Sequence, residues 1–289
     1  DLLEYKWRTK GSQVLDEAQT KLTQIAESGQ RTSADDWEDV QTGAIKLIDD
    51  IAAIASGEKQ LDVVATGIDL LDEKLDGGGR PGELITIGGR SGMGKTAAAV
   101  TVLINAAKAG HPGGFVSLEM PKRQLNQRMM SHESHVHLTK FKRPERLNDA
   151  DWAWLSSACE SVSHLPISVT DRSGLNINQI RSLARSLKRK KGLRVLVVDH
   201  LTLVRGLDPK MLRAYQLQEV TSGLKALAKE LGITVYLLVQ IDRGTDARND
   251  AMPALADIKG TASVEEDSDI VIFIHREYKN KEAVLSIEW

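Results

Sequence analysis

Eight residues, Gly89-Arg90-Ser91-Gly92-Met93-Gly94-Lys95-Thr96, restrict this chain more than any other stretch. They match the P-loop pattern G-x-x-x-x-G-K-[ST], in which glycines let backbone N–H groups turn inward around phosphate oxygens. The flanks agree: Leu84-Ile85-Thr86-Ile87 reads as an apolar strand leading in, and the alanine-rich stretch from Ala97 reads as a helix leading out. That helix start adds partial positive charge. On this reading Gly89, Arg90, Ser91, Gly92, Met93, Gly94, Lys95 and Thr96 hold a nucleoside triphosphate. Lys95 neutralises its β and γ phosphates, and the Thr96 hydroxyl ligates Mg²⁺.

A P-loop of this kind belongs to an α/β fold, and the rest of the pattern agrees. Strands are expected over 84–88, 114–118, 167–170, 194–198, 233–239, 269–274 and 283–287. Helices are expected over 95–109, 122–134, 149–163, 177–190 and 211–231. Strands separated by such helices predict a mostly parallel sheet with helices on both faces.

Before this domain, assigned to 61–289, residues 1–60 read as helical. Val14, Leu15, Ala18, Leu22 and Ile25 recur at helical spacing, and a turn follows at Ser28-Gly29-Gln30. Ser33-Ala34-Asp35-Asp36 resembles a helix start. An apolar stripe then runs through Val40, Ala44, Leu47, Ile48, Ile51 and Ile54 to Gly57, suited to packing on its own domain or on a neighbouring subunit. The first residue is Asp1 rather than methionine, so the sequence is expected to be a piece of a longer protein.

Composition narrows the function classes. With 41% hydrophobic residues the chain can bury a sizeable core. Its formal net charge of -2 gives no global attraction to nucleic acid, so any such binding must come from local basic loops. The single cysteine, Cys159, excludes an intrachain disulfide and suits a reducing cytoplasm. No apolar run is long enough to span a bilayer, and membrane partners are not expected.

Hydrolysis needs more than a phosphate cradle. Arg194-Val195-Leu196-Val197-Val198-Asp199 places an aspartate at the C-terminal end of an apolar strand, where open α/β sheets bind ligands, and Asp199 is the second metal candidate beside Thr96. Glu119, after Gly114-Phe115-Val116-Ser117-Leu118, is the candidate base for the attacking water, with capping of the helix near Pro121 as its alternative. Gln240 ends Val235-Tyr236-Leu237-Leu238-Val239, as a reporter on the γ-phosphate or a satisfied strand end.

These residues carry a resemblance. The stretch from Ala65 to Arg276 is similar to the RecA-like ATPase domain of DnaB-type replicative DNA helicases, of phage or bacterial kind. The telling pieces are Thr66-Gly67-Ile68-Asp69-Leu70-Leu71-Asp72, Gly77-Gly78, Arg80-Pro81-Gly82-Glu83-Leu84 and the P-loop. Val116-Ser117-Leu118-Glu119-Met120, Val198-Asp199-His200-Leu201, Leu224-Lys225-Ala226-Leu227-Ala228-Lys229-Glu230-Leu231, Gln240-Ile241-Asp242-Arg243 and the segment from Asp257 to Asp269 follow.

The resemblance implies ATP and Mg²⁺ as cofactors, with Lys95 and Thr96 on the nucleotide, Glu119 as base, Asp199 serving the metal and Gln240 sensing the γ-phosphate. It implies a homo-hexameric ring or open spiral translocating on single-stranded DNA in a bacterial cytoplasm, at the replisome, with a helicase loader and primase as partners. The stripe through Val40 and Ile54 would then be the family's linker helix, which docks on the adjacent subunit. A recombination- or clock-type RecA-like ATPase without unwinding shares Thr66-Gly67 and Gly77-Gly78, but not the later segments.

Two departures matter. The family's DNA loop has arginine, an acidic residue and glycine where this chain has Lys259, Gly260 and Ala262. A lysine keeps the charge but loses the bidentate fork, and the backbone N–H groups of Gly260, Thr261 and Ala262 remain to meet phosphates. The family's arginine finger follows the strand 270–274. Here His275-Arg276-Glu277-Tyr278-Lys279-Asn280-Lys281 passes almost directly to the final strand, so no finger is assigned.

Of the other basic segments, Arg205 to Arg213 and Asp242 to Asn249 follow core strands and are the channel-loop candidates, with Arg243 and Arg248 suited to phosphate. Lys188-Arg189-Lys190-Lys191 reads as a solvated helix end. His132, Glu133, His135 and His137 lack a second ligand pair at zinc spacing. Trp7, Trp37, Trp152 and Trp154 are read as packing aromatics.

Overall fold

A computed structural model describes residues 37–241, 253–258, 261–276 and 283–288. The chain divides into two compact units, residues 1–61 and 62–289. The described part of the first holds helix α1 (Val40–Ala55). Asp39 stands just before its first residue, a turn later than the predicted start at 33–36, which lies outside the described residues. Val40, Leu47, Ile48 and Ile51 of its stripe are exposed. The helical pattern read over 14–25 also falls outside the described residues.

The second unit is built on one sheet. Its strands are β1 (Leu84–Gly89), β2 (Gly113–Ser117), β3 (Ile167–Thr170), β4 (Val195–Asp199), β5 (Thr234–Gln240), β6 (Ile270–Arg276) and β7 (Ala283–Glu288). Their spatial order is β3-β2-β4-β5-β1-β6-β7. The first six run parallel; β7 returns antiparallel along β6, with Arg276 opposite Ala283. Residues 277–282, within the segment to which no finger is assigned, lie outside the described residues.

Helices cover both faces: α2 (Asp69–Lys74), α3 (Lys95–Lys108), α4 (Lys122–Ser134), α5 (Leu138–Phe141), α6 (Asp149–His164), α7 (Ile177–Lys191), α8 (Arg213–Leu231) and α9 (Thr261–Asp267). Alternation along each strand explains the two layers. Leu196, Val198, Val235, Leu237, Val271 and Phe273 pack with residues of α7 and α8 on one face. Val195, Val197, Tyr236, Leu238, Ile270 and Ile272 pack with α2, α3 and α4 on the other. Successive residues serve opposite cores, so the strands read as unbroken apolar runs.

Helix ends follow local chemistry. Asn148 and Asp151 form a reciprocal capping box at α6, with bonds of 2.8 and 3.0 Å. Asn176 and Gln179 do the same at α7, with bonds of 3.0 and 3.1 Å. Lys188, Arg189, Lys190 and Lys191 fill the last turn of α7, where cations suit the dipole.

At the N-terminal end of β1, polar groups lock the sheet to α8. Leu84 N–H donates to Asp269 Oδ2 at 2.7 Å, and Lys225 Nζ reaches both Asp269 oxygens at 2.7 Å. Ser268 and Thr86 hydroxyls meet at 2.7 Å, and Thr221 donates to Asp267. The last residues of the segment from Asp257 to Asp269 are thus architectural.

The Thr66-to-Asp72 motif is architectural too. Asp72 accepts from Thr66 N–H and Oγ1 at 2.7 Å each and from Gly67 N–H at 2.8 Å. Asn105 of α3 donates to Thr66 O at 2.9 Å, and a Cβ on Gly67 would fall 2.2 Å from that amide.

Contrary to the packing role expected of them, Trp37, Trp152 and Trp154 are 91%, 57% and 55% exposed; Trp152 and Trp154 lie on α6, which buries only Ala158 fully. Trp7 lies outside the described residues.

Candidate active site

The topology brings the ends of β1, β2, β4 and β5 to one edge of the sheet. Gly89 of β1 is in register with Gln240 of β5, and Ser117 of β2 with Asp199 of β4. Polar residues at or just past the ends of apolar strands therefore gather at the carboxyl end, where parallel sheets bind ligands.

The P-loop bridges β1 and α3 as predicted. Gly94 adopts φ +104°, a conformation that L side chains rarely hold, while Met93 is buried and anchors the loop. Lys95 Nζ donates to Gly89 O at 2.7 Å and Arg90 O at 3.0 Å, so the ammonium folds back over the loop. Burial pushes this ammonium below its ordinary pKa, against the opposing pull of Asp199 and Glu119.

Thr96 Oγ1 donates to Asp199 Oδ2 at 2.8 Å. Asp199 is buried, and burial raises its pKa; the Thr96 bond opposes that rise and the Glu119 charge adds to it. A hydroxyl touching a carboxylate is an all-oxygen pair, the donor chemistry that Mg²⁺ prefers. The residues present fit the metal the P-loop implies.

Glu119 stands two residues beyond β2, on the turn into α4. Ser117 Oγ donates to Met120 O at 2.6 Å and Leu118 N–H to Asp199 O at 2.7 Å, which fixes that turn against β4. The capping alternative for Glu119 fails. Lys122 N–H at the start of α4 is taken by Asp171 Oδ2 at 3.0 Å, and Lys122 Nζ pairs with Asp171 Oδ1 at 3.2 Å. Glu119 itself remains 55% exposed and lies 3.7 Å from His200 Nε2. Gln240 is exposed at the end of β5.

His200 carries no role in the sequence reading, although it follows Asp199 directly. It is buried, with Nδ1 2.9 Å from Thr202 Oγ1. Burial lowers its pKa, while Glu119 and Asp199 pull it up. The missed signal was positional: a residue just past β4 faces the end of β2, the neighbouring strand.

The basic loops divide. Arg213 donates to Thr202 O at 2.7 Å, Val204 O at 3.1 Å and Gln216 Oε1 at 2.8 Å, which makes it a brace of the loop after β4. Arg243, Arg248, Lys259 and Gly260 lie outside the described residues, and Ala262 sits in the first turn of α9. Glu133 is engaged by Lys108 at 2.8 Å and His132 at 3.1 Å.

The model of the "DnaB-like helicase C terminal domain" matches residues 63–287. The chain belongs to that family. The Rickettsia bellii replicative DNA helicase DnaB is 37% identical over 248 residues, covering 81% of this chain and 49% of that protein. The DnaB of Geobacillus stearothermophilus is 32% identical over 273 residues, covering 93% of this chain and 59% of its own length.

Among solved structures, one isolated ATPase domain superposes with a TM-score of 0.78 at 25% identity, covering 87% of this chain and 95% of that one. A DnaB-like replicative helicase studied with primase gives 0.76 at 25% identity, over 98% and 73%. The RecA-like fold expected of the DnaB-like family is therefore the fold observed. The chain spans about half to three-fifths of the length of the curated relatives it matches.

Proposed function

We propose that this chain is the motor of a replicative DNA helicase, in which hydrolysis of ATP with Mg²⁺ drives movement on single-stranded DNA and separation of the duplex. The observation that carries the proposal is the convergence of Lys95, the Thr96–Asp199 pair and Glu119 on one sheet edge beside the P-loop. The names of the family's curated members support the same reading.

In this mechanism the backbone N–H groups from Gly89 to Gly94 and the start of α3 hold the phosphates. Lys95 exchanges its two carbonyl partners for phosphate oxygens, which restores charge compensation to a partly buried ammonium. Thr96 and Asp199 would hold the metal, which would supply positive charge to offset the charge on the phosphates. Glu119 takes a proton from the attacking water, and its exposure leaves room for that water. Gln240, in register with Gly89, reports the γ-phosphate to the loop that follows β5.

DNA contact is assigned to Arg243, Arg248, Lys259, Gly260 and Ala262, through phosphates rather than bases. The active form is a homo-hexameric ring or open spiral in a bacterial cytoplasm, with a loader and primase as partners. Among the described residues no helix is long and apolar enough to cross a membrane.

The test is Glu119→Gln, which keeps the shape and removes the base. Nucleotide binding should persist, while ATP hydrolysis and strand displacement on a forked duplex fall by at least ~100-fold. Near-normal turnover in this variant refutes the assigned base, and hydrolysis without displacement by the unaltered chain refutes the helicase reading.

A further inference from the structure

We propose that His200 is a positioning residue for Glu119, holding that carboxylate where it meets the attacking water. The proposal rests on the reading of Glu119 as the base.

Three observations converge. Among the described residues, Glu119 forms no hydrogen bond, and His200 is its one ion-pair partner, with Nε2 3.7 Å from Oε2. The carboxylate is more than half exposed, so its own surroundings leave its rotamer free. His200, by contrast, is buried, and its other nitrogen is tied to Thr202 Oγ1 at 2.9 Å.

The asymmetry gives direction to the pair. A fixed ring faces a free carboxylate, so the ring sets where the carboxylate goes. When the Thr202 hydroxyl donates to Nδ1, the ring proton sits on Nε2 and faces Oε2. The backbones cannot drift apart, because Leu118 N–H bonds Asp199 O at 2.7 Å and Ser117 is in register with Asp199.

At 3.7 Å the contact is longer than a hydrogen bond. It leaves Glu119 free to accept a proton from water, and one rotamer adjustment closes the gap. Glutamine has matching polar chemistry: its amide nitrogen stands in for Nε2–H and its oxygen can accept from Thr202.

The experiment measures steady-state ATP hydrolysis with single-stranded DNA for the full chain and its variants, with binding of a fluorescent ATP analogue as the folding control. His200→Ala should lower kcat about tenfold with KM for ATP within about twofold. His200→Gln should recover kcat to within about threefold of the unaltered chain, and Thr202→Val should lower it about threefold by freeing the ring. Unchanged kcat in His200→Ala, a loss confined to KM, or no recovery by His200→Gln overturns the proposal. If His200→Ala fails to fold, Thr202→Val decides: an unchanged kcat overturns the proposal and a selective fall in kcat supports it. Glu119→Gln run in parallel separates the two failures. If it hydrolyses normally the base assignment is wrong; if it is inactive while His200→Ala is normal, only the positioning role is lost.

Discussion

The two ends of one mostly parallel sheet treat charge in opposite ways. At the amino end of β1, Asp269 is satisfied on all sides, by Lys225 at 2.7 Å to each oxygen and by Leu84 N–H at 2.7 Å. At the carboxyl end, Lys95 leans on two carbonyls, Asp199 holds the Thr96 hydroxyl, and Glu119 faces His200 at 3.7 Å. Burial works against the charged forms of both Lys95 and Asp199 there. The amino end is therefore built for stability. The carboxyl end keeps interactions in reserve for phosphate, metal and water.

Substitutions at the two ends should separate these roles. The largest effect is expected from Lys95→Ala: ATP turnover falls by ~10²-fold or more, as for removal of a preorganised charge donor. Its Tm should shift by less than about 2 °C, since the variant also relieves a partly buried ammonium. A large loss of Tm would make Lys95 structural and erase the contrast. Asp269→Ala should do the reverse. Leaving Leu84 N–H without its acceptor, and Lys225 with only Gly82 O, costs about 1–3 kcal/mol, or a Tm lowered by about 2–12 °C for a unit of this size. Turnover per folded molecule should stay unchanged; a selective fall in kcat would show that the amino end reaches the chemistry.

The same contrast explains what could be read from the sequence. Strands such as Val195-Leu196-Val197-Val198 were legible because successive residues feed cores on opposite faces, leaving continuous apolar runs. The P-loop and Asp199 were legible because their requirements are local: a tight turn, and an acid at a strand end. Groups set by long-range pairing were not. Asp171, 49 residues away, caps α4 and removes the capping alternative for Glu119. His200 became a partner for Glu119 only once β4 was seen beside β2. Trp152 and Trp154 misled because apolar side chains suggest burial, while α6 lies with most of its surface open. The segment ending in Asp269 was recognised as a family pattern, but its physical task needed Lys225 and Leu84 beside it.

The smallest expected effect sharpens the comparison by testing a pair with neither role. Arg185 of α7 donates from Nε and Nη2 to Glu230 of α8 at 2.6 and 2.8 Å, with the glutamate 37% exposed. The Arg185 hydrogen bond holds the Glu230 pKa below its ordinary value, although partial burial opposes it. A depressed carboxylate pKa stabilises the fold above the unfolded value of about 4.3, and that contribution disappears as pH falls through the folded value. Because the pair is partly open to solvent and salt, Arg185→Ala should cost only about 0.5–1 kcal/mol near neutral pH. Denaturant melts of both proteins should show that difference shrinking on acidification to about pH 4 and below, and shrinking again in ~1 M salt, where screening reaches about 3 Å. A deficit that persists at low pH would mean that Arg185 stabilises by something other than its pairing with Glu230, such as the packing of its stem.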